Sequence, residues 1–467
     1  MPENPNYLSE IEREDGTVLT IKDVEARAAL ADMDPTLDEI LGGVNDIKGS
    51  LGDVAEAMEV ILAGVPTLVE KTITQNGIYD PSDDDADGYS SVTVEVSGGG
   101  AGGSDVLFYN YDGSVVVSYS AADFANLSAM PANPTHTGLT AQGWNWSLAD
   151  AKAYVASYGK LNIGQMYITS DGKTRFYLTL LNNSLTVYLW WIILRDNTTI
   201  EIDWGDDSEH TTWNEGETPK THIYNDAGDY IMTITVIVGS FYMSSSDSDE
   251  VTTVRKIEMG NNVTFNEGET FLNFYRLEYI TIPKGITEIG RTAFTYCYAL
   301  KALILPDTLT LIDDMAINGC YSLSVLSIGR GVTSIIYHGI SACKSLTSIT
   351  IPDTVTTLDE GAIDNNNILS VLTIPNSITA FPDNFLNQCD LLTSVIVPEN
   401  VATIGEAFLK YCVGISSITF KSTTPPTLAA NPNLPLYCVI RVPQGTLSDY
   451  TSASNYPDPS EYIYEEY

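Results

Sequence analysis

One acidic stretch of the chain has the residue types that bind calcium. Asp83, Asp85 and Asp87 alternate and are followed by Gly88, which is how a calcium-binding loop begins. Such a loop needs a bidentate Glu at its twelfth position, but with Asp83 as position 1 that place holds Val94. The flanking residues alternate between apolar and polar, as strands do. The sequence therefore favours an acidic hairpin loop, and no metal is predicted here.

The six cysteines are the next candidates for chemistry, as nucleophiles or as metal ligands. Both roles need convergent partners, and the chain has only four histidines, scattered at positions 136, 210, 222 and 338. Five cysteines recur every 23 or 46 residues, and Asn366 fills the gap in their series. We therefore predict a reduced structural ladder bonded to the backbone, although strands ~5 Å apart would also permit disulfides. The ladder consists of Cys297, Cys320, Cys343, Cys389 and Cys412.

No enzyme is predicted from the motifs of the chain. It lacks the Gly-x-Ser-x-Gly, His-Glu-x-x-His and glycine-rich phosphate-binding patterns, so no catalytic residue and no cofactor are assigned. The net charge of −39 comes from 61 acidic and 22 basic residues, and it repels nucleic acids and anionic membranes. Recognition of another protein or of a glycan is the function class that is left.

A repeating element must position the cysteines and occupies the chain from residue 252 to residue 467. A segment of alternating apolar residues comes before each marker, which is a proline or a glycine. The markers are Gly260, Pro283, Pro306, Gly329, Pro352, Pro375 and Pro398. A constant period in the twenties with Leu-x-x-Leu spacing indicates a leucine-rich-repeat solenoid. The pattern resembles the BspA-type repeat, which implies about seven coils followed by a C-terminal cap.

Such a solenoid presents a sheet, and we predict that the outward side chains of its strands form the binding surface. These side chains are small, rich in hydroxyl groups and partly apolar, which suits broad, weak contact with a protein or a glycan. The predicted binding residues are Tyr279, Thr281, Ile304, Ser327, Ser348, Thr350, Thr373 and Ile396.

A smaller module is predicted over residues 105–172. The motif Pro-Thr-x-x-Gly-x-x-x-x-Gly-Trp at residues 134–144 resembles the β-grasp repeat of bacterial surface proteins. The resemblance implies a sheet with a short helix. Trp144 and Trp146 are expected in its core, and a sugar-stacking platform is the alternative.

Residues 173–240 resemble a polycystic-kidney-disease (PKD) domain, a small immunoglobulin-like β-sandwich. The matching pieces are WGDDS at 204–208, HIY at 222–224 and GDY at 228–230. The aspartates are expected to stabilise turns, because their side chains bond nearby backbone amides. Asp207 stands where the family has Gly, so we expect a distorted turn there.

The first 104 residues are predicted to anchor and oligomerise the chain. Residues 1–70 contain a hairpin at Asp15-Gly16 and then a helix with a heptad seam. The seam favours three or four strands over two, so we predict a homotrimer, with a helix packed on its own domain as the alternative. Residues 71–96 form a small β module, and 97–104 a glycine-rich linker. The seam consists of Leu37, Ile40, Val44, Ile47, Leu51, Val54, Met58 and Ile61.

The whole chain is predicted to be a multidomain, mainly β recognition protein. Its beginning has no basic and apolar regions of a signal peptide. Residues 7–27 resemble the start of head- and tail-fibre proteins from phages of Gram-positive gut bacteria. The resemblance implies a virion fibre that is made in the host cytoplasm, binds other virion proteins through its N-terminal region and adheres to the host surface without membrane insertion. A bacterial cell-surface adhesin of the BspA-like type is the alternative, and a fibre-borne depolymerase is a third candidate.

Overall fold

The computed structural model describes four strands near the N-terminus and residues 105–467, except residues 183, 245–250, 266–267, 437 and 461. The chain divides into residues 1–103 and 104–467, which are described separately. In the first unit, β1 (Glu10–Glu12) pairs antiparallel with β2 (Val18–Thr20), and β3 (Glu70–Thr74) with β4 (Thr93–Ser97). Both pairs of predicted strands are confirmed. The heptad seam, the acidic stretch and linker residues 98–104 lie outside the described residues.

The second unit begins with a four-stranded mixed sheet over residues 105–169, here called the docking module. Its order is β6-β5-β8-β7, with the central strands β5 and β8 parallel. The side chains of Ser120 and Ser147 cap its two helices by accepting hydrogen bonds from the N–H groups of Asp123 and Asp150. Its elements are β5 (Val106–Tyr109), β6 (Val115–Tyr119), α1 (Ala121–Ala125), β7 (Leu139–Trp144), α2 (Leu148–Tyr158) and β8 (Leu161–Thr169).

The next region builds a larger sheet that continues directly into the solenoid. The order is β12-β11-β14-β9-β15-β17, where β15 and β17 already belong to the repeats. A separate pair, β10 and β13, lies outside this sheet. Trp191, Trp204 and Trp213 are buried in the common core. The strands are β9 (Thr174–Leu180), β10 (Thr186–Tyr188), β11 (Ile192–Asp203), β12 (Thr211–Asn214), β13 (Thr221–Ile223) and β14 (Gly228–Met243), followed by β15 (Val254–Glu258), β16 (Val263–Phe265) and β17 (Tyr279–Ile280).

The loop after β11 shows how aspartates hold a turn. The Asp206 carboxylate accepts hydrogen bonds from the N–H of Ser208 at 3.2 Å and from its Oγ at 2.6 Å. Asp207 has a φ of 61°, in the left-handed region that Gly would favour and that Asp tolerates. Asp207 therefore adopts the backbone conformation that Gly would have at this position, and this conformation takes the place of the distorted turn that we expected.

The solenoid stacks its short strands in three parallel rows. The main row continues from β15 and β17 as β19 (Ala302–Ile304), β22 (Val325–Ser327), β25 (Ser348–Thr350), β27 (Val371–Thr373), β29 (Ser394–Val397), β31 (Ser417–Phe420), β33 (Val439–Val442) and β34 (Ile463–Glu466). The second row is β18 (Glu288–Ile289), β20 (Leu311–Ile312), β23 (Ser334–Ile335), β26 (Thr357–Leu358), β28 (Ala380–Phe381), β30 (Thr403–Ile404) and β32 (Thr427–Leu428). The third contains β21 (Ile317–Asn318) and β24 (Ile340–Ser341), and helix α3 (Leu447–Ser452) lies near the C-terminal end.

Most main strands contribute one buried apolar side chain to the core, which holds neighbouring coils together. Fully burying such a Leu or Ile contributes about 1.5–3 kcal/mol, so the core grows with every coil. The buried series is Ile257, Ile280, Leu303, Leu326, Ile349, Val395 and Ile418.

Candidate binding surface of the solenoid

The docking module covers the first half of the main strand row. Strand β8 packs on β19, β22 and β25, here called the covered half. Ile304 is 4% exposed and Ser327 is fully buried, and Thr281 and Thr350 are also buried. The expected exposure of these four side chains is therefore wrong, because part of the same chain occupies the surface that they present. Tyr279 and Ser348 are half-buried.

A glycine in β8 allows the close approach of the two parts. A Cβ at Gly164 would lie 2.3 Å from Cγ2 of Ile304. Beside it, Nδ2 of Asn145 donates to the carbonyl of Leu305 at 2.9 Å, and its Oδ1 accepts from the N–H of Gly164 at 2.8 Å. The Ser327 hydroxyl donates to the carbonyl of Asn162 at 2.9 Å. The buried polar groups of this contact are therefore paired, as burial requires.

The prolines of the repeat create the places where the module binds. In the coil whose marker position holds Lys421 in place of a proline, the carbonyl of Val397 accepts from the N–H of Lys421, 24 residues later, at 3.0 Å. The equivalent donor for Ile328 would be residue 352, which is a proline and has no N–H. Nε1 of Trp146 donates to that carbonyl instead, at 2.9 Å.

The same substitution of donors recurs along the covered half. Pro375 cannot donate to the carbonyl of Ile351, and the hydroxyl of Tyr154 does so at 2.6 Å. Pro283 has no N–H to donate to the carbonyl of Met259, and the N–H of Thr169 donates to that carbonyl at 3.0 Å. Three donors of the module therefore bond carbonyls that a proline leaves without a backbone partner, and Asn145 bonds a fourth carbonyl, that of Leu305, where the marker is Gly329.

Trp144, which ends the predicted motif, and the nearby Trp146 have structural roles. Trp144 and Trp146 are 7% and 3% exposed, and Nε1 of Trp144 donates to the carbonyl of Pro131 at 2.9 Å. The expectation of core residues is confirmed, and the alternative of a sugar-stacking platform is wrong for this pair. Sequence spacing alone does not reveal that Trp146 reaches the solenoid, because its acceptor lies 182 residues away.

The second half of the main row, β27, β29, β31, β33 and β34, is here called the uncovered half. Ile396 is 54% exposed, although it stands four coils after the buried Ile304 in the same outward row. Thr373 is half-buried. Pro398 removes the donor for the carbonyl of Ile374, and no other donor reaches that carbonyl within the described residues. This surface repeats the features that bind the module, but without a bound module.

One wall of the uncovered half comes from the module itself. The hydroxyl of Tyr158, the last residue of α2, accepts a hydrogen bond from the N–H of Asn376 at 3.0 Å. At the far side, Nε of Arg441 pairs with the carboxylate of Glu465 at 3.1 Å. The surface thus runs from an aromatic wall to an ion pair across a floor of hydroxyl and apolar groups.

The cysteine ladder is as predicted. Each ladder thiol donates to the carbonyl 26 residues earlier, for example Cys320 to Phe294 at 3.1 Å. All six cysteines are free and buried, and burial raises the pKa of the Cys297 thiol above its ordinary value and that of Cys412 to about 12. Burial therefore disfavours the reactive thiolate form of Cys297 and Cys412. Asn366 replaces a thiol, since its Nδ2 donates to the carbonyl of Ile340 at 2.9 Å.

The described residues contain no group of three His, Cys, Asp or Glu side chains placed to hold a metal ion. Each histidine has a local partner: His136 contacts Asn110, His210 contacts Glu201, His222 contacts Asp206, and His338 contacts Asp364. Within the same part of the chain, no helix has the length and apolar character needed to cross a membrane. That the protein is not an enzyme stays a prediction.

Comparison with known proteins bears on the repeats. The family model of the BspA type leucine rich repeat region matches residues 247–344 and 326–426, in six copies. None of the curated proteins matches the chain. A leucine-rich repeat protein from Bacteroides ovatus has 17% identity and a TM-score of 0.34, over 50% of this chain and 74% of that one. The T. pallidum leucine-rich repeat protein has 20% identity and a TM-score of 0.33, over 38% and 83%.

A leucine-rich cell surface protein from Faecalibacterium prausnitzii has 14% identity and a TM-score of 0.18, over 49% of this chain and 91% of that one. The family model covers the coils whose period, markers and strand rows are described above. The segment from residue 247 to residue 426 is a BspA-type leucine-rich-repeat region.

Proposed function

We propose that the protein is a surface adhesin of the BspA-like type, which binds its partner through the uncovered half of the solenoid. The observation that carries this proposal is the contrast between Ile304, buried under the docking module, and Ile396, 54% exposed in the same row. An exposed apolar side chain beside an open backbone carbonyl provides both a contact and a hydrogen-bond acceptor.

The chemistry of this surface favours a protein or a glycan as the partner. Within the described residues, Arg441 and Glu465 balance each other's charge, the Glu466 carboxylate accepts from the N–H groups of Gly445 and Leu447, and Thr373, Ser394 and Ile396 are hydroxyl or apolar. The chain as a whole carries a net charge of −39, which disfavours nucleic acids and anionic surfaces.

The finer assignments of the other modules are part of this proposal. The parallel central pair of the docking module, β5 and β8, supports a β-grasp-like module at 105–172. The buried Trp204, whose ring stacks on His222 of β13 with centroids 4.6 Å apart, supports a PKD-like β-sandwich at 173–240. In both modules the sequence motifs fall on turns and strand ends.

Replacement of Ile396 by arginine tests the proposed surface. The labelled full chain and its variants are incubated with intact Gram-positive gut bacteria and with epithelial cells, and binding is measured by flow cytometry. We expect Ile396→Arg to weaken binding about tenfold, a loss of about 1.4 kcal/mol, because it places a charge at the centre of the contact. The control Val238→Arg changes an equally exposed residue of β14 and leaves binding unchanged. Equal binding by Ile396→Arg and the unchanged chain would refute the proposal.

A virion fibre is the second candidate function. The observation that favours it is the hairpin of β1 and β2, which pairs Ile11 with Leu19 inside the segment that resembles phage fibres. In this function the N-terminal region binds other virion proteins and forms a homotrimer. An antibody to the solenoid, applied to intact bacteria before lysis and to purified phage particles, separates the two. Labelling of the bacteria alone supports the adhesin, and labelling of the particles supports the fibre.

A further inference from the structure

A row of tyrosines lies in the loops that precede the main strands, outside the surface proposed above. Tyr275, Tyr298 and Tyr321, here called the tyrosine row, stand at the same position of three successive coils. Their rings stack with centroids 5.0 and 4.9 Å apart and planes inclined by 12° and 18°. Tyr296 packs against Tyr298 at 5.8 Å and 45°. Four phenol side chains therefore converge on one narrow strip of the solenoid.

The strip is open to solvent at its C-terminal end. Tyr296 is 41% exposed and Tyr321 is 45% exposed, and the hydroxyl groups of these two residues have no partner within the described part of the chain. Burial and the neighbouring phenols raise the pKa of Tyr298. Grouped exposed aromatic rings are unusual on a soluble surface and mark binding sites.

The row continues with polar side chains instead of a fourth ring. In the coil that follows Tyr321, the equivalent repeat position holds Lys344. The next two coils hold Asn367 and Asp390 at that position. The Lys344 amine donates to Oδ1 of Asn367 and to the carbonyl of Asn365, and Asn367 Nδ2 donates to Asp390 at 2.7 Å. Lys344 is thereby drawn toward the following coils, so no ring covers Tyr321 and a chain of planar polar groups begins beside it.

A peptide strand cannot add to this strip through its backbone. The carbonyls of Tyr275 and Tyr298 already accept hydrogen bonds from the N–H groups of Ala299 and Ser322, at 3.2 and 3.1 Å. The carbonyl of Tyr321 accepts from the Ser345 hydroxyl at 2.6 Å. Strand addition needs free main-chain groups, which are absent here. Because the rings of the row stack on one another, the available contacts are the open face of Tyr321, the ring edges, hydroxyl groups and amides.

We propose that the tyrosine row and its polar continuation bind a neutral glycan. A sugar ring has an apolar face that stacks on a tyrosine and hydroxyl groups that bond to phenols and amides, so it matches both parts of the strip. Lys344 and Asp390 balance each other, and the net charge of −39 disfavours an anionic glycan. The linear strip fits successive sugars of one chain. This site is independent of the uncovered half and stands even if Ile396 has no role.

The experiment uses the full chain and an immobilised panel of neutral oligosaccharides built from hexoses and N-acetylhexosamines, beside a sialylated and sulfated panel. We expect binding to members of the neutral panel, and a loss of at least about fivefold in Tyr321→Ala and Tyr296→Ala, because each removes a ring from the strip. Tyr321→Phe keeps the ring and should retain most of the binding. Tyr188→Ala removes an exposed tyrosine of β10 and should bind like the unchanged chain.

Three outcomes would overturn this site. The first is that no neutral oligosaccharide binds the unchanged chain, and the second is that both alanine variants bind as it does. The third is binding only to the anionic panel or only to a protein, which would assign the strip to another ligand. Thermal unfolding of each variant identifies any loss of fold, and Tyr321→Phe and Tyr296→Ala provide readings that do not depend on Tyr321→Ala being stable.

Discussion

At the residue scale, Gly164 shows how a single missing side chain joins two parts of the molecule. Its backbone is not in the left-handed region, so the glycine is required by space and not by conformation. The nearest atom of Ile304 fills the volume that a Cβ would occupy. No local sequence motif identifies this role, because the partner, Ile304, lies in a coil of the solenoid far along the chain.

Replacement of Gly164 by alanine should therefore loosen the docking module. We expect the free energy of unfolding to fall by about 1–3 kcal/mol, the typical cost of overpacking, as measured by urea denaturation. The control Gly268→Ala places a Cβ 3.8 Å from its nearest neighbour and should have little effect. Adding Ile304→Ala to the Gly164 variant should recover part of the loss. Unchanged stability of Gly164→Ala would contradict this account of the contact.

At the element scale, neighbouring coils are joined by the side chain at one repeat position, which is a cysteine in five coils and Asn366 in a sixth. The thiols donate one bond each to an earlier coil, whereas Asn366 makes two bonds. Its Nδ2 donates to the carbonyl of Ile340, and its Oδ1 accepts from the N–H of Cys343 at 2.9 Å. The amide thus joins two coils at the one place where the cysteine series is interrupted.

Replacement of Asn366 by alanine should leave a buried carbonyl and a buried N–H without partners. We expect a loss of about 1–3 kcal/mol for each group left unsatisfied, seen as a lower midpoint of thermal unfolding. Asn366→Cys, which restores the ladder residue, should recover part of this loss. Asn376→Ala, at an exposed asparagine, is the control and should unfold like the unchanged chain. An equal midpoint for Asn366→Ala would show that the ladder is not stabilising.

The elements differ in how far the sequence predicts them. The coils are predictable because each repeats its own buried Leu or Ile, its marker and its ladder residue within 23 residues. The exposure of Ser327 was not predictable in this way. Its place in the strand pattern predicts an outward, exposed hydroxyl, but the side chain is fully buried. Alternation indicates which face of a strand a residue occupies, but not whether a distant module covers that face. The row of strands stays a predicted binding surface, and the exposure expected along its first half was wrong.

At the scale of the whole molecule, the docking module and the solenoid form one unit through donors that replace missing backbone N–H groups. Trp146 and Tyr154 supply two of them, to the carbonyls of Ile328 and Ile351. Arg330 adds a link by contacting Asp150 of α2 at 2.7 Å and Asp353 at 3.0 Å. The contact between the docking module and the solenoid therefore determines which part of the main strand row is available to a partner.

Removing both donors should separate the unfolding of the two parts. In the variant Trp146→Phe with Tyr154→Phe, the two carbonyls lose their partners, at about 1–3 kcal/mol each, and the smaller ring at position 146 also removes some packing. We expect faster amide hydrogen exchange in β8 and a calorimetric transition that broadens or divides. Tyr188→Phe is the control, since this exposed residue lies away from the contact. A single unchanged transition would contradict the role of these donors.

The proline spacing also limits how this protein can change in length. Removing or inserting one 23-residue coil between Met259 and Ile351 would move every later acceptor by a full step, so Thr169, Trp146 and Tyr154 could no longer all reach their carbonyls. A coil added or lost after Ile374 would leave these contacts untouched. Lengthening of the repeat array is therefore tolerated only toward its C-terminal end, where each new coil would extend the open binding surface.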